Sequence, residues 1–251
     1  TKILRYRSVT AKGKAQYQVV LNNTPFYPEG GGQVGDTGEL VSDTEKVYVI
    51  NTKKENDLIL HFTKELPKNL DGTFTAKVNE LKRRNTEKNH SVTHLIHSAL
   101  RNILGDHVAQ KGSLVGPDYM RFDFSHFSKM TNEEIERVEQ LVNGKIRENV
   151  SLGESRNIPI KEAQEAGAMM LFGEKYGDTV RMITFDPTYS IELCGGTHVK
   201  ATGEIGLCRI VSEGAVAAGV RRIEVITGKV AEEKAREEAQ IVAQLKELLK
   251  A

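Results

Sequence analysis

The sequence predicts an α+β protein: a small N-terminal β-barrel, a mixed α+β domain holding a metal site, and a C-terminal helix. Three observations carry this. Residues 1–80 hold short strand-like runs bounded by Asn, Asp, Gly and Pro clusters, the pattern of strands joined by tight turns. Beyond them, apolar residues at helical spacing are interleaved with further strand-like runs, which mixes helices with strands. Lastly, two pairs of metal-competent side chains, His90 with His94 and Cys194 with His198, each stand four residues apart in distant segments.

In residues 1–80, Tyr17–Leu21, Glu45–Ile50 and Leu58–Phe62 read as strands, and several strands at this spacing suggest closure into a barrel. Between two of them lies the segment TPFYPEGGGQVGD, Thr24 to Asp36, with Gly30, Gly31 and Gly32 in succession. Without side chains, these glycines let backbone approach a ligand closely. Taken alone, three glycines read first as a flexible hairpin loop. No Gly-Lys-Ser/Thr follows, so this is not a phosphate-binding loop.

Residues 81–228 are expected to form the second domain. Lys77–Leu104 reads as one helix, ended by Gly105. At 100° per residue, Val92, Leu95, Ile96, Ala99 and Ile103 share a core-facing stripe, while His90 and His94 point away from it, to water or to a site. Lys82, Arg83, Arg84 and Lys88 make a basic strip on the early turns, suited to phosphates and equally to solvent. Gln110–Ser113 reads as a loop and Tyr119–Phe124 as a strand. Thr131 with Glu134 is a capping box opening a helix on which Ile135, Val138, Leu141, Val142 and Ile146 keep the apolar period. Pro159–Phe172 is predicted helical, ended by Gly173 and Gly177. Val180–Phe185, Ser190–Leu193, Gly206–Val211 and Arg221–Ile226 read as strands, the second delivering Cys194 at its end. Cys208, inside a strand, reads as a small buried apolar residue. In residues 229–251 Ala, Glu, Lys and Gln dominate, with Ile241, Val242, Leu245, Leu248 and Leu249 at helical spacing. This is the expected start of a connecting or self-associating helix.

Composition bounds the function. A chain of 251 residues with 39% apolar content supports a real core and two domains. With a net charge of +1, nucleic-acid contact requires a local patch rather than a global field. Two cysteines give no disulfide framework. A reducing cytoplasm is the simplest home, and there a thiolate favours metal over a Cys194–Cys208 bridge. No apolar run approaches the roughly 18 residues of a membrane helix, and no signal peptide opens the chain; no membrane partner is expected. The first residue is Thr, which suggests a segment of something longer.

The metal reading rests on chemistry and convergence. Side chains four apart on a helix lie about 5–6 Å apart at Cβ, a gap one ion bridges. Imidazole and thiolate are preferred ligands of Zn²⁺ at about 2.0–2.3 Å. HxxxH alone is usually two solvated histidines. The second pair changes this, because Gly195 and Gly196 let Cys194 and His198 converge. His90, His94, Cys194 and His198 therefore read as a His3Cys site for one Zn²⁺.

Taken together, the Thr24–Asp36 segment, the His90–His94 pair, Gln110–Ser113, Gly167–Asp178 (GAMMLFGEKYGD), Cys194–His198 and Gly219–Glu224 (GVRRIE) resemble, in order and over almost the full length, the editing region of alanyl-tRNA synthetase and its free-standing editing relatives. The resemblance implies a β-barrel joined to an α+β catalytic domain. It implies hydrolysis of tRNA(Ala) mischarged with serine or glycine, with zinc at the pocket. His90, His94, Cys194 and His198 carry over as metal residues. Thr93, Gln110 and Ser113 carry over to the amino-acid pocket, Gln110 and Thr93 as the catalytic candidates. Gly31 and Gly32 join Ser113 as substrate-binding candidates. Ser91 stands where the family commonly has Thr, so a hydroxyl is kept. No stretch resembles the aminoacylation domain, so the chain is expected to correct an error without charging tRNA. Two readings stand beside this one: the threonyl-tRNA synthetase editing domain, which shares HxxxH and CxxxH, and a zinc-stabilised tRNA-binding module without turnover. Four protein ligands close a tetrahedron, whereas catalytic zinc keeps a position open. Either one ligand is weak or displaced, or the ion orients the aminoacyl group. Glu192 has the chemistry of a base.

Overall fold

A computed structural model describes residues 1–11, 13–170 and 176–250. The chain divides into two compact units, Thr1–Thr86 and Glu87–Ala251. The first carries β1 (Ile3–Ala11), β2 (Lys14–Leu21), β3 (Gly38–Val41), β4 (Lys46–Glu55), β5 (Leu58–Thr63) and β6 (Thr75–Val78). All neighbours are antiparallel, in the order β1-β2-β5-β4-β3-β6. The expected closed barrel is therefore an open six-stranded sheet. Among the described residues its end strands share no ladder; a bridge between Lys2 and Thr73, just outside them, forms beside the Thr1–Phe74 backbone pair. Val19, Leu21, Phe26, Leu40, Val49 and Phe74 form the buried core. Asn56 and Asp57, at φ 46° and 62°, join β4 to β5 in the left-handed two-residue turn that matches strand twist.

The glycine-rich segment is a tight turn rather than an open loop. Gly30 and Gln33 pair through both backbone hydrogen bonds, at 3.1 and 3.0 Å. Gly31 and Gly32 sit between them at φ 57° and 82°, where a Cβ is disfavoured.

The helix α1 (Glu80–Leu104) starts later than expected. Lys77 is strand, opposite Glu39 in the β3–β6 ladder, and Asn79 caps the helix by accepting from the Lys82 N–H at 3.1 Å. The second unit continues with β7 (Gln110–Val115), β8 (Met120–Ser125), α2 (Asn132–Arg147), β9 (Gly153–Pro159), α3 (Ile160–Glu165), β10 (Thr179–Phe185), β11 (Ser190–Leu193), a 3-10 turn (Thr202–Ile205), β12 (Cys208–Ala217), β13 (Val220–Thr227) and α4 (Gly228–Leu249). These strands make a sheet β12-β13-β8-β7 and a smaller one, β11-β10-β9. Met120, Phe122 and Phe124 of β8 alternate inward. They share one core with Val92, Leu95, Ile96, Ala99 and Leu100 of α1, Val138 and Val142 of α2, and Ile223 and Val225 of β13. Fully burying such a side chain contributes about 1.5–3 kcal/mol. The capping box at Thr131 and Glu134 is formed, and Cys208 is fully buried.

Two local expectations change. Gln110–Ser113 is not a loop but the start of β7, paired to β8 through a bulge between Gln110 and Gly112. Pro159–Phe172 is not one helix. Pro159 closes β9 opposite Thr179, and α3 stops at Glu165 before Gly167 at φ 78°. Residues 171–175, within the segment expected to end that helix, lie outside the described residues. Among the described residues no helix is long and apolar enough to cross a membrane.

Candidate metal centre

The helical period of α1 brings His90 and His94 onto one face, their rings stacked with centroids 5.4 Å apart. Both are buried, so the face turned away from the apolar stripe looks into a site and not into water. The β10–β11 hairpin carries the other half. β11 ends at Leu193, so Cys194 leaves the edge strand, and the chain bends at Gly196 before His198. The His198 ring lies 4.4 Å from that of His90 and 4.9 Å from that of His94. The ligand atoms of His90, His94, Cys194 and His198 all lie within 4.8 Å of one another. Cys194 Sγ is 3.4 Å from His90 Nε2 and 3.3 Å from His198 Nε2, close to the edge of a tetrahedron with bonds of about 2.0–2.3 Å.

Polar partners hold these rings in place. Glu192 Oε2 accepts from His94 Nδ1 at 2.7 Å, and Oε1 accepts from His97 Nδ1 at 3.1 Å. With Nδ1 committed, His94 offers Nε2 to the centre, and that buried atom has no hydrogen-bond partner among the described residues. A buried imidazole nitrogen without a partner is costly, and a metal removes the cost. Ser91 Oγ lies 3.2 Å from His198 Nδ1 and accepts from the Val199 N–H at 3.1 Å. This ties α1 to the chain beyond His198. Asn89, buried, donates to Gly116 O at 2.8 Å and accepts from Thr227 Oγ1 at 2.7 Å, fixing the turn before His90. Arg181 Nη1 donates to Cys194 O at 3.0 Å and to Gly196 O at 2.5 Å. Its Nε also pairs with Glu154 Oε1 at 2.5 Å, so one side chain clamps the thiol-bearing turn.

Burial lowers His94, but Glu192 and Cys194 outweigh it and raise it to about 10, so its imidazole holds a proton that a metal would have to displace. Burial raises the Cys194 thiol, but the charge on His90 and hydrogen bonds from His198 and His90 outweigh it and hold the thiol well below its usual range. The Gly196 N–H adds a contact at 3.4 Å. Burial, then the His90 charge, lowers His198 to about 3, so its imidazole is neutral. Burial opposes ionisation of Glu192, yet His94 and then His97 hold its carboxyl at about 2. Thiolate plus imidazole is the donor set Zn²⁺ prefers, and carboxylate-braced histidine is its usual support. The residues fit the ion.

The remaining candidates fall in three places. Thr93, buried beside His94, gives its hydroxyl to Asn89 O at 2.8 Å. Gln110 and Ser113 are brought together on β7, Gln110 Nε2 donating to Ser113 Oγ at 3.3 Å. Gly31 and Gly32 belong to the first unit. Glu192 has both oxygens occupied by imidazoles, which makes it a brace in this arrangement. Sequence reading gave no role to His97 or Arg181. The spacing His94-x-x-His97 was a visible signal for the first; nothing local marked the second.

The family described as "Threonyl and Alanyl tRNA synthetase second additional domain" matches residues 180–224, and "tRNA synthetases class II (A)" matches residues 4–97. The first span holds Cys194 and His198, the second His90 and His94. Two stretches of the chain are thus similar to the threonyl- and alanyl-type class II synthetases. Within that class it is homologous to a segment of alanine–tRNA ligase. It is 58% identical over 250 residues to the alanine–tRNA ligase of Cytophaga hutchinsonii, covering 100% of this chain and 28% of that protein. Against that of Parabacteroides distasonis it is 56% identical over 248 residues, 99% of this chain and 28% of the relative. Against that of Bacteroides fragilis it is 60% identical over 233 residues, 93% and 26%. The chain thus spans little more than a quarter of these curated relatives.

Proposed function

We propose that this chain hydrolyses the ester of tRNA(Ala) wrongly charged with serine or glycine. The observation that carries the reading is the convergence of His90, His94, Cys194 and His198 within 4.8 Å, in a homologue of alanine–tRNA ligase. A synthetic pocket for alanine cannot strongly exclude smaller glycine, and rejects an added hydroxyl only about 10²-fold, so a second, hydrolytic sieve is needed. His90, His94, Cys194 and His198 would hold a Zn²⁺, which when bound would polarise the ester or act as a template for the aminoacyl group. Glu192 and Ser91 orient the rings that hold it. Thr93, Gln110 and Ser113 line the amino-acid pocket, with Gln110 and Thr93 acting on the reacting ester; the Gln110–Ser113 hydrogen bond supports a shared polar wall. Gly31 and Gly32 contribute to substrate binding through backbone. The free Cys194 and Cys208 suit a reducing cytoplasm. The exposed Ile241, Val242, Leu245, Leu248 and Leu249 of α4 suit self-association.

A second reading draws on the ligand count. Four protein ligands are the habit of structural zinc, and the same cluster would then staple a tRNA-binding module without turnover. Turnover of Ser-tRNA(Ala) by the unaltered chain separates the two, and a Cys194→Ala chain tests the role of the metal. The editing reading expects loss of zinc and of Ser-tRNA(Ala) deacylation together; a zinc-free variant that deacylates normally overturns the role of the metal.

A further inference from the structure

The basic strip of α1 does not stay together. Arg83 turns to the buried Asp36, its Nε donating to Oδ1 at 2.9 Å, and Lys88 is half-buried. Lys82 alone turns into a groove of about 610 Å³ in the first unit, also lined by Lys64, Lys77, Tyr48, Glu39 and Asn79. The register builds this wall. Tyr48, Glu39 and Lys77 stand directly opposite one another across β4, β3 and β6, and β4 turns Val47 and Val49 inward while Tyr48 faces out. Tyr48 is 60% exposed. Lys64, Lys77 and Lys82 are all exposed. None of the three has an ion pair among the described residues, although the chain as a whole is nearly neutral at +1. The one carboxylate, Glu39, is already neutralised by Lys46 at 2.8 Å, and the Lys46 ammonium stands 6.0 Å from the Tyr48 ring centre. Asn79 places the N-terminal end of α1 at the groove, and its dipole adds to the same positive field.

Three unpaired ammonium groups around a cleft attract polyanions. Lysine binds phosphate as a compact point charge, and three of them line this cleft. An exposed phenol ring beside the charges accepts the face of a base. We infer that this groove is an RNA-backbone site: Lys64, Lys77 and Lys82 contact phosphates and Tyr48 stacks on a nucleotide. The inference extends the tRNA partner of the proposed function to a surface of the first unit.

The test is binding of uncharged tRNA(Ala) transcript to the full chain by fluorescence polarisation over a salt series. A chain with Lys64→Ala, Lys77→Ala and Lys82→Ala is compared with a control carrying Lys68→Ala, Lys161→Ala and Lys229→Ala. Each lost phosphate contact reduces the slope of log K against log salt by about 0.7–0.9. The groove variant should therefore lose about 2–3 from the slope, and the control far less. Tyr48→Ala should weaken binding about fivefold or more, with Tyr48→Phe retaining it. An unchanged slope in the groove variant, or an equal loss in the control, overturns the site. Linear polyphosphate binding as tightly as tRNA, with Tyr48→Ala indifferent to both, overturns the assignment to RNA. Zinc content and deacylation are read on the same preparations. A chain that binds through the groove without turnover counts against editing alone, and one that edits with the groove variant's slope intact counts against the groove alone.

Discussion

Glu192 is four per cent exposed and holds two imidazoles at once. Replacing it with Gln keeps the shape but removes the charge and one acceptor, leaving His94 free to turn. Loss of such a brace typically weakens metal binding about 10–100-fold, so Glu192→Gln should hold Zn²⁺ that much less tightly in a chelator competition, with circular dichroism unchanged. His61 tests a different term. It is fully buried, with Nδ1 3.0 Å from Val19 O and Nε2 2.7 Å from Thr24 Oγ1. Burial lowers its pKa, against a smaller opposing effect of Val19. The unfolded state therefore takes the proton first, and stability of the first unit falls as pH drops below the unfolded value of about 6.5. In denaturant titrations at pH 7.5 and 5.5, His61→Gln should flatten this loss; an unchanged loss assigns it to other groups. At this scale the cluster of His90, His94, Cys194 and His198 was legible because metal chemistry demands particular side chains at a particular spacing. Glu192, Ser91 and Arg181 take their roles from contacts across the fold, which spacing along the chain does not encode.

Helix-forming patterns read well where an apolar period met a chemical stop. α2 opens at the capping box of Thr131 and Glu134 as the sequence predicts, and Thr131→Ala should cost about 1 kcal/mol in urea unfolding of the second unit. The strand of Gln110–Ser113 was not legible, because polar residues and a glycine hide the alternation that marks a strand, and its pairing with β8 is decided by the partner. β9 was hidden in the same way, and Pro159 was read as part of the helix that it only precedes. Gly38 is an element-scale constraint of another kind: a Cβ there would run into Lys77 O and the Phe26 ring. Gly38→Ala should therefore force β3 from β6 and destabilise the first unit by more than about 2 kcal/mol. A mild effect would mean that the β3–β6 pairing is looser than its ladder suggests.

At the scale of the whole chain, the two units differ in what the sequence disclosed. The first was recognised as strands, but barrel closure depends on a ladder between β1 and β6, and among the described residues an isolated Lys2–Thr73 bridge stands in its place. The second was recognised through its ligands, since a site shared by α1 and the β10–β11 hairpin requires the intervening chain to fold back. That hairpin is braced by Lys145, which pairs with Asp186 at 2.9 Å. Hydrogen bonds from Lys145 and Thr188 hold the Asp186 carboxyl at about 2. Its contribution is thus present above the unfolded value of about 3.9 and is lost as pH falls toward 2.

In the proposed function, the His3Cys centre serves removal of the wrong amino acid from tRNA(Ala). Its most direct test is deacylation of Ser-tRNA(Ala) beside Ala-tRNA(Ala), with zinc assayed on the same preparation and tRNA binding verified. Rapid loss of serine is expected, with alanine spared and about one zinc per chain, the count set by one four-ligand site. A chain that holds zinc and binds tRNA yet leaves the serine ester intact would contradict it.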